Sequence, residues 1–256
     1  MNNFFIDTHA HIYQEYYSDI NEVINNAQNK NVNFIINNGY STEANKEVIE
    51  LAKHDSLFAS IGIHPEVVDK YTKEDLEFIV KNINHPKIVA IGEIGLDYHY
   101  TKENKEKQKE LFEQQLKIAQ DYNIPVIIHS RDATQDTIDC LKKYQVKGII
   151  HSFSGSLEVA NIYIKMGFLL GINGVITFKN SNLKEVLKEI DLKNIVLETD
   201  SPYLTPHPYR GTKNEPKYIN LIAEFIADLK NVSKEELATI TNQNIQKTFS
   251  KINLCA

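Results

Sequence analysis

The sequence predicts an α/β chain folded as a (β/α)8 TIM barrel in a single domain over residues 1–256. Three observations carry this. Eight short runs rich in Ile and Val recur along the chain, mostly continuous rather than alternating, as strands buried on both faces are. Longer amphipathic stretches separate them. The first run is not followed by the glycine-rich phosphate loop that usually marks a doubly wound open sheet.

The strands are expected at residues 4–9, 32–37, 57–63, 88–93, 125–129, 147–151, 167–172 and 195–200. A helix over 19–29 would bury Ile20, Val23, Ile24 and Ala27 as one stripe. Thr72 reads as the N-cap of a helix over 73–83, with Asp75 three residues on in a capping-box position. The longest helix, over 103–122, has Leu111, Phe112, Leu116, Ile118 and Ala119 on its buried side. Residues 182–191 carry Leu183, Val186, Leu187 and Ile190, and two more helices cover 219–229 and 233–249, the second capped by Ser233 and Glu236. The longest irregular segment, 201–216, contains Pro202, Pro206, Pro208 and Pro216. A loop of that length is usually functional, and after the last strand it would cover the catalytic face of a barrel.

The chain is 42% hydrophobic and 24% charged, with a net charge of −6 and a pI near 5.9. An acidic balance excludes a broad basic surface for nucleic acid but leaves room for a small site taking one phosphodiester. Cys140 and Cys255 lie far apart, so no disulfide framework is expected and a reducing cytosol is the simplest compartment. The opening MNNFFIDTHAHI lacks the basic and apolar segments of a signal peptide, and no apolar run approaches the roughly 20 residues that span a bilayer. No membrane association and no obligate protein partner are expected.

Six residues of metal-binding type close five of the runs: His9 and His11, Glu93, His129, His151 and Asp200. Strand ends of a barrel converge at its C-terminal mouth. Side chains alternate along a strand, so Asp7, His9 and His11 are expected to share the inward face. Four imidazoles and two carboxylates exceed the three or four protein ligands of a single catalytic zinc and suit two divalent cations. Glu93, lying between the first strand and the fifth and sixth in barrel order, is the expected bridge. One cation would take His9, His11, Glu93 and Asp200, the other Glu93, His129 and His151. Imidazole-rich ligation modestly favours Zn or Mn over Mg. Asp200 would position a water and accept its proton.

The segments FIDTHAH (5–11), GIHP (62–65), GEIGLDY (92–98), IHSRDA (128–133), HSFSG (151–155) and ETDSPYLTPHPYRGTKNEP (198–216) resemble, in order and spacing, the TatD family of metal-dependent deoxyribonucleases. The resemblance covers nearly the whole chain. It implies a barrel fold and hydrolysis of DNA phosphodiesters, with exonuclease action expected. It also places His9, His11, Glu93, His129, His151 and Asp200 on the metal ligands and His64 on a site histidine. Two departures stand out: Tyr13 replaces an acidic or amide side chain of the first motif, and Ser152 replaces a cysteine.

Further candidates surround these positions. His64 and Arg131 are expected to neutralise the phosphate, Arg210 in the long loop offers a second clamp, and Tyr98 could stack on a base. Glu198 has the parity of Asp200 and could stand behind the ligands. Asn214 and Glu215 would pin the long loop. His54, His85 and His99 read as structural or solvent-facing. The same constellation would also serve a hydrolase of small amides, esters or lactones, or a non-catalytic metal-binding partner protein.

Overall fold

The computed structural model describes residues 4–99 and 103–253. Eight strands form one parallel sheet in sequential order: β1 (Phe5–Ala10), β2 (Val32–Asn38), β3 (Leu57–Ile61), β4 (Ile88–Asp97), β5 (Val126–Arg131), β6 (Gly148–Ile150), β7 (Phe168–Ile172) and β8 (Ile195–Leu197). The sheet meets itself where Ala10 bridges Ser201 in parallel register. There the Asp200 amide donates to the His9 carbonyl at 2.9 Å and the His11 amide to the Ser201 carbonyl at 2.7 Å. The expected barrel is present.

Around it run α1 (Ile20–Gln28), α2 (Thr42–Leu51), α3 (Lys73–Asn82), α4 (Lys105–Asp121), α5 (Thr134–Leu141), α6 (Leu157–Lys165), α7 (Leu183–Glu189), α8 (Ile219–Lys230) and α9 (Lys234–Thr248). Thr72 and Asp75 form the anticipated capping box of α3, and Ser233 caps α9 by accepting from the Glu236 amide. No helix among the described residues is long and apolar enough to cross a membrane.

Alternation along the strands divides the core in two. Ile35, Val126, Ile128, Leu170, Ile195 and Leu197 pack outward with the helices. Ile6, Ile36, Phe58, Val89, Ile127, Ile149, Leu169 and Val196, one from each strand, form a separate apolar plug with Ile245 of α9 and Phe249 just past its end. His129, His151 and Glu198 stand two residues beyond Ile127, Ile149 and Val196. By the two-residue period they continue the plug upward as an ionisable layer.

The strands depart from expectation where the site is built. β4 runs on to Asp97, with a register irregularity against β5 between Ile91 and Ile94 that places Glu93 at a bulge. Bulges re-aim side chains near active sites. Gly95 is required just beyond: its φ is 148°, and a β-carbon there would lie 1.9 Å from the His129 carbonyl oxygen. β8 ends at Leu197, so Asp200 lies past the strand, in a left-handed conformation with φ 57°.

Candidate metal centre at the barrel mouth

All six expected ligands meet at the C-terminal mouth, with Glu93 at their centre. Its Oε2 lies 3.5 Å from Nε2 of His9 and 3.4 Å from Nε2 of His11. Its Oε1 lies 2.8 Å from Nδ1 of His129, 3.6 Å from Nε2 of His151 and 3.6 Å from Nε2 of His64. Asp200 Oδ1 is 3.7 Å from Nε2 of both His9 and His11, and 3.9 Å from that of His151. The carboxylate thus turns one oxygen to each of two imidazole groups.

These separations fit a cation-binding donor set. Two ligands about 2.1 Å from one ion at a tetrahedral angle stand roughly 3.4 Å apart. The Nε2 atoms of His9 and His11 are 3.1 Å apart, and both face the carboxylates of this cluster. Among the described residues, three groups of donors are close enough to hold an ion: His9, His151 and Asp200; His9, His11 and Glu93; His64, Glu93 and His129. The first and last differ from the sequence expectation, which set His151 beside Glu93 and His129; here His151 groups with His9 and Asp200, and His64 stands beside Glu93 and His129.

Hydrogen bonds assign the free lone pairs. His11 Nδ1 lies 3.0 Å from the Asn38 carbonyl, an acceptor, so Nδ1 carries the proton and Nε2 presents its lone pair to the cluster. His64 is reversed. Its Nδ1 accepts from the Glu66 amide at 3.2 Å, which leaves the proton on Nε2, facing Glu93. Burial holds the His64 imidazole neutral, down to about 3, despite the Glu93 charge. The expected phosphate-neutralising charge on His64 is therefore corrected: the residue offers a neutral N–H donor.

The remaining groups titrate as one coupled set. Burial pushes the Glu93 carboxyl up, but the imidazoles around it outweigh that and hold it well below the usual carboxylate range. Burial opposes charge on His129, yet hydrogen bonds to Asp97 and Glu93 raise it to about 9. His151, against the same burial, is raised to about 10 by Glu198, Asp200 and Glu93. Burial raises Asp200 to about 6, with His151 and His11 opposing.

Behind the candidate ligands stand further carboxylates. Asp97 accepts from His129 Nε2 at 2.9 Å and is itself held by its backbone pair with Gln108, at 2.9 and 2.8 Å. Glu198 lies 3.0 Å from His151 Nδ1 and accepts from the Ser152 amide at 2.6 Å. Asp7 does not join the cluster. The β1 register is irregular between Asp7 and Ala10, and its carboxylate instead accepts from the Thr199 amide, 2.9 Å, and hydroxyl, 2.5 Å.

The mouth opens into a cavity of about 700 Å³, lined by the cluster, Arg131 and the serines 130, 152 and 154. Two expected substrate contacts lie elsewhere. The Tyr98 ring is buried, its hydroxyl donating to Asp136 of α5 at 2.8 Å, because β4 continues to Asp97 and carries the next side chain over to the helix. The Arg210 guanidinium stacks 3.6 Å from the centroid of Phe178, which keeps it on the loop surface. His54 and His85 use Nδ1 locally, accepting from the Ser56 and Lys87 amides, and His99 faces Asp132. Asn214 pins the long loop, donating to the Thr199 carbonyl at 2.9 Å and the Tyr203 carbonyl at 2.5 Å, while Glu215 pairs with Lys217. Cys140 is a buried free thiol, and Cys255 lies outside the described residues. Sequence reasoning missed Tyr16, Tyr40 and Tyr203, which line the mouth; their only signal was position, in the loops after β1, β2 and β8.

Eight parallel strands that carry imidazoles and carboxylates to one mouth define a barrel of the metal-dependent hydrolase class. The chain belongs to the TatD related DNase family, whose model matches residues 6–250. It is 45% identical over 249 residues to the metal-dependent hydrolase YabD of Bacillus subtilis, covering 95% of this chain and 98% of that one. It is 34% identical over 256 residues to the metal-dependent hydrolase YcfH of Escherichia coli K12, covering 96% of each. The crystal structure of the Escherichia coli TatD homologue YjjV superposes with a TM-score of 0.91 at 30% identity, over 98% of this chain and 99% of that one.

Proposed function

We propose that the protein hydrolyses DNA phosphodiesters with two divalent cations, Mg, Mn or Zn, held at the barrel mouth. The observation that carries the reading is the two-sided environment of Glu93, with His9 and His11 on one oxygen and His129, His151 and His64 on the other. His9, His11, Asp200 and Glu93 would hold one ion, and Glu93, His129 and His151 the other. The tautomer of His64, with its proton on Nε2, favours a donor role over ligation there. Such ions, when bound, lower the pKa of water and stabilise charge on phosphate oxygens.

The chain's own groups divide the remaining work. Asp200 is ionised at neutral pH with a carboxyl near 6, so it can orient a water and take its proton. His64 donates a neutral hydrogen bond to a phosphate oxygen, which orients the ester without adding charge. Arg131, exposed on the rim, supplies charge to the phosphate. The plug below the cluster excludes water from its underside. The family match supports DNA as the substrate, and the net charge of −6 accords with binding through a small local site. Two widely spaced cysteines support a reducing cytosol as the setting.

The test compares oligonucleotides, a generic phosphodiester, amides and lactones, scanned over Mg, Mn and Zn. Oligonucleotide cleavage is expected, and turnover of lactones or amides with inert oligonucleotides would overturn the reading. Asp200→Asn, with metal content measured alongside, is expected to retain a cation and lose hydrolysis by roughly 100-fold or more. Full activity with metal retained would remove Asp200 from the proton-accepting role.

A further inference from the structure

One wall of the mouth is aromatic. Tyr16 and Tyr40 come from the loops after β1 and β2, and Tyr203 from the loop after β8. These strands are neighbours across the barrel seam, so the three side chains form one arc beside His11. The rings of Tyr40 and Tyr203 each lie 6.4 Å from the His11 ring. The Tyr16 and Tyr203 rings are 6.1 Å apart, with their hydroxyls in contact at 3.1 Å.

The arc is anchored. Buried Tyr13 packs under it, 5.8 Å from Tyr16 and 5.7 Å from Tyr40, and donates its hydroxyl to the Asn38 carbonyl. The Tyr203 amide donates to the Asp200 carbonyl at 2.8 Å, and its own carbonyl accepts from Asn214. The ring is therefore held at a set position relative to a candidate ligand, yet it is 50% exposed. An anchored aromatic ring that leaves half its surface open forgoes burial that packing favours. The opposite rim, with Arg131 and three serines, is polar.

A ligand matching this cavity carries an anionic ester at the floor and a flat apolar ring one short linker away. We propose that Tyr203, with Tyr16 and Tyr40, forms a stacking subsite for the nucleobase flanking the scissile phosphate. The subsite rests on the phosphodiester reading above. Stacking on a tyrosine face tolerates any base, so it selects for the presence of a ring rather than for its identity.

The experiment uses metal-loaded protein and oligonucleotides in which a tetrahydrofuran abasic residue replaces the base on one side or the other of the cleaved bond. Removing one flanking base is expected to raise KM by roughly 5- to 150-fold, the range for one base–aromatic stack. That penalty should collapse in Tyr203→Ala and persist in Tyr203→Phe, which keeps the ring. A binding arm compares thymidine 5′-monophosphate with deoxyribose 5-phosphate by calorimetry, in wild type and Tyr203→Ala. Cleavage indifferent to the base on both sides overturns the subsite while leaving the hydrolytic reading intact. Base-dependent binding through Tyr203 without phosphodiester cleavage supports the subsite and overturns the hydrolytic reading. Neither cleavage nor base-dependent binding overturns both.

Discussion

Glu198, fully buried, lies 3.0 Å from Nδ1 of His151, and the space its carboxylate occupies exists because residue 171 is glycine. A β-carbon at Gly171 would sit 2.2 Å from Glu198 Oε2. The carboxylate orients the imidazole so that Nε2 faces Glu93 and Asp200. Removing such a partner of a ligating histidine typically costs 10- to 100-fold in metal affinity. Glu198→Gln is expected to weaken cation binding by roughly that factor, and Gly171→Ala to weaken it by displacing the same group. Competition titration against a chelator of known affinity measures both, and unchanged affinity in the two variants would contradict the assignment.

Metal binding should release protons. Without a cation, His129 titrates near 9 and His151 near 10, because Asp97, Glu93, Glu198 and Asp200 outweigh burial. Both imidazoles hold a proton at neutral pH, and a ligating nitrogen must give it up. Affinity is therefore expected to rise as pH rises from 6 to 8, in the window below both values. Calorimetry in two buffers of different ionisation enthalpy counts the protons released. Affinity independent of pH would show that neither imidazole gives up a proton when the cation binds.

Asn214 is a stability determinant of the long loop. It is fully buried and satisfies the carbonyls of Thr199 and Tyr203 with one amide group. Truncation leaves buried acceptors unpaired, at about 1–3 kcal/mol. Asn214→Ala should lower Tm by roughly 2–4 °C per kcal/mol lost in a domain of this size. A Tm within a degree of wild type, by differential scanning calorimetry, would mean that water replaces the amide at no cost.

Two glycines with positive φ should respond differently to the same change. Gly95 has φ 148° and no room against His129, whereas Gly211 has φ 86° and no atom within 4 Å of the point where a β-carbon would stand. Gly95→Ala is expected to cost about 3 kcal/mol or more, through strain and a backbone clash together. Gly211→Ala should cost about 1–2 kcal/mol, from conformation alone. Chemical denaturation separates them, and equal losses would remove the steric argument at β4.

The meeting of the six candidate ligands is legible because a barrel gathers strand ends, so a coarse strand assignment already places them together. The helices were less evenly visible. In α2, buried Asn45 bonds both the amide and the carbonyl of Gly62, so a polar residue interrupts the apolar stripe that would mark the helix. In α6 the signal is blurred the other way, since Ile162 is apolar and exposed. α5 spans only eight residues and buries Thr137 and Cys140. Tyr98 and Arg210 were misplaced for a common reason: a residue near a strand end or in a mouth loop has several directions to turn, and neighbours such as Asp136 and Phe178 decide between them. The proton position on His64 likewise depends on a contact with the Glu66 amide that no spacing reveals.

The join between Ala10 and Ser201 has a temporal consequence. His9 and His11 come from one lip of that seam and Asp200 from the other, with His11 and Asp200 standing 189 positions apart in the chain. A nascent chain can present the histidines early, but it cannot complete the donor set until β8 has been synthesised and has docked on β1. On the proposed reading, reactivity would be withheld from a barrel whose seam is not yet closed. Cation affinity would then serve as a gauge of ring closure, expected to fall when the seam parts even while the other strand pairs persist.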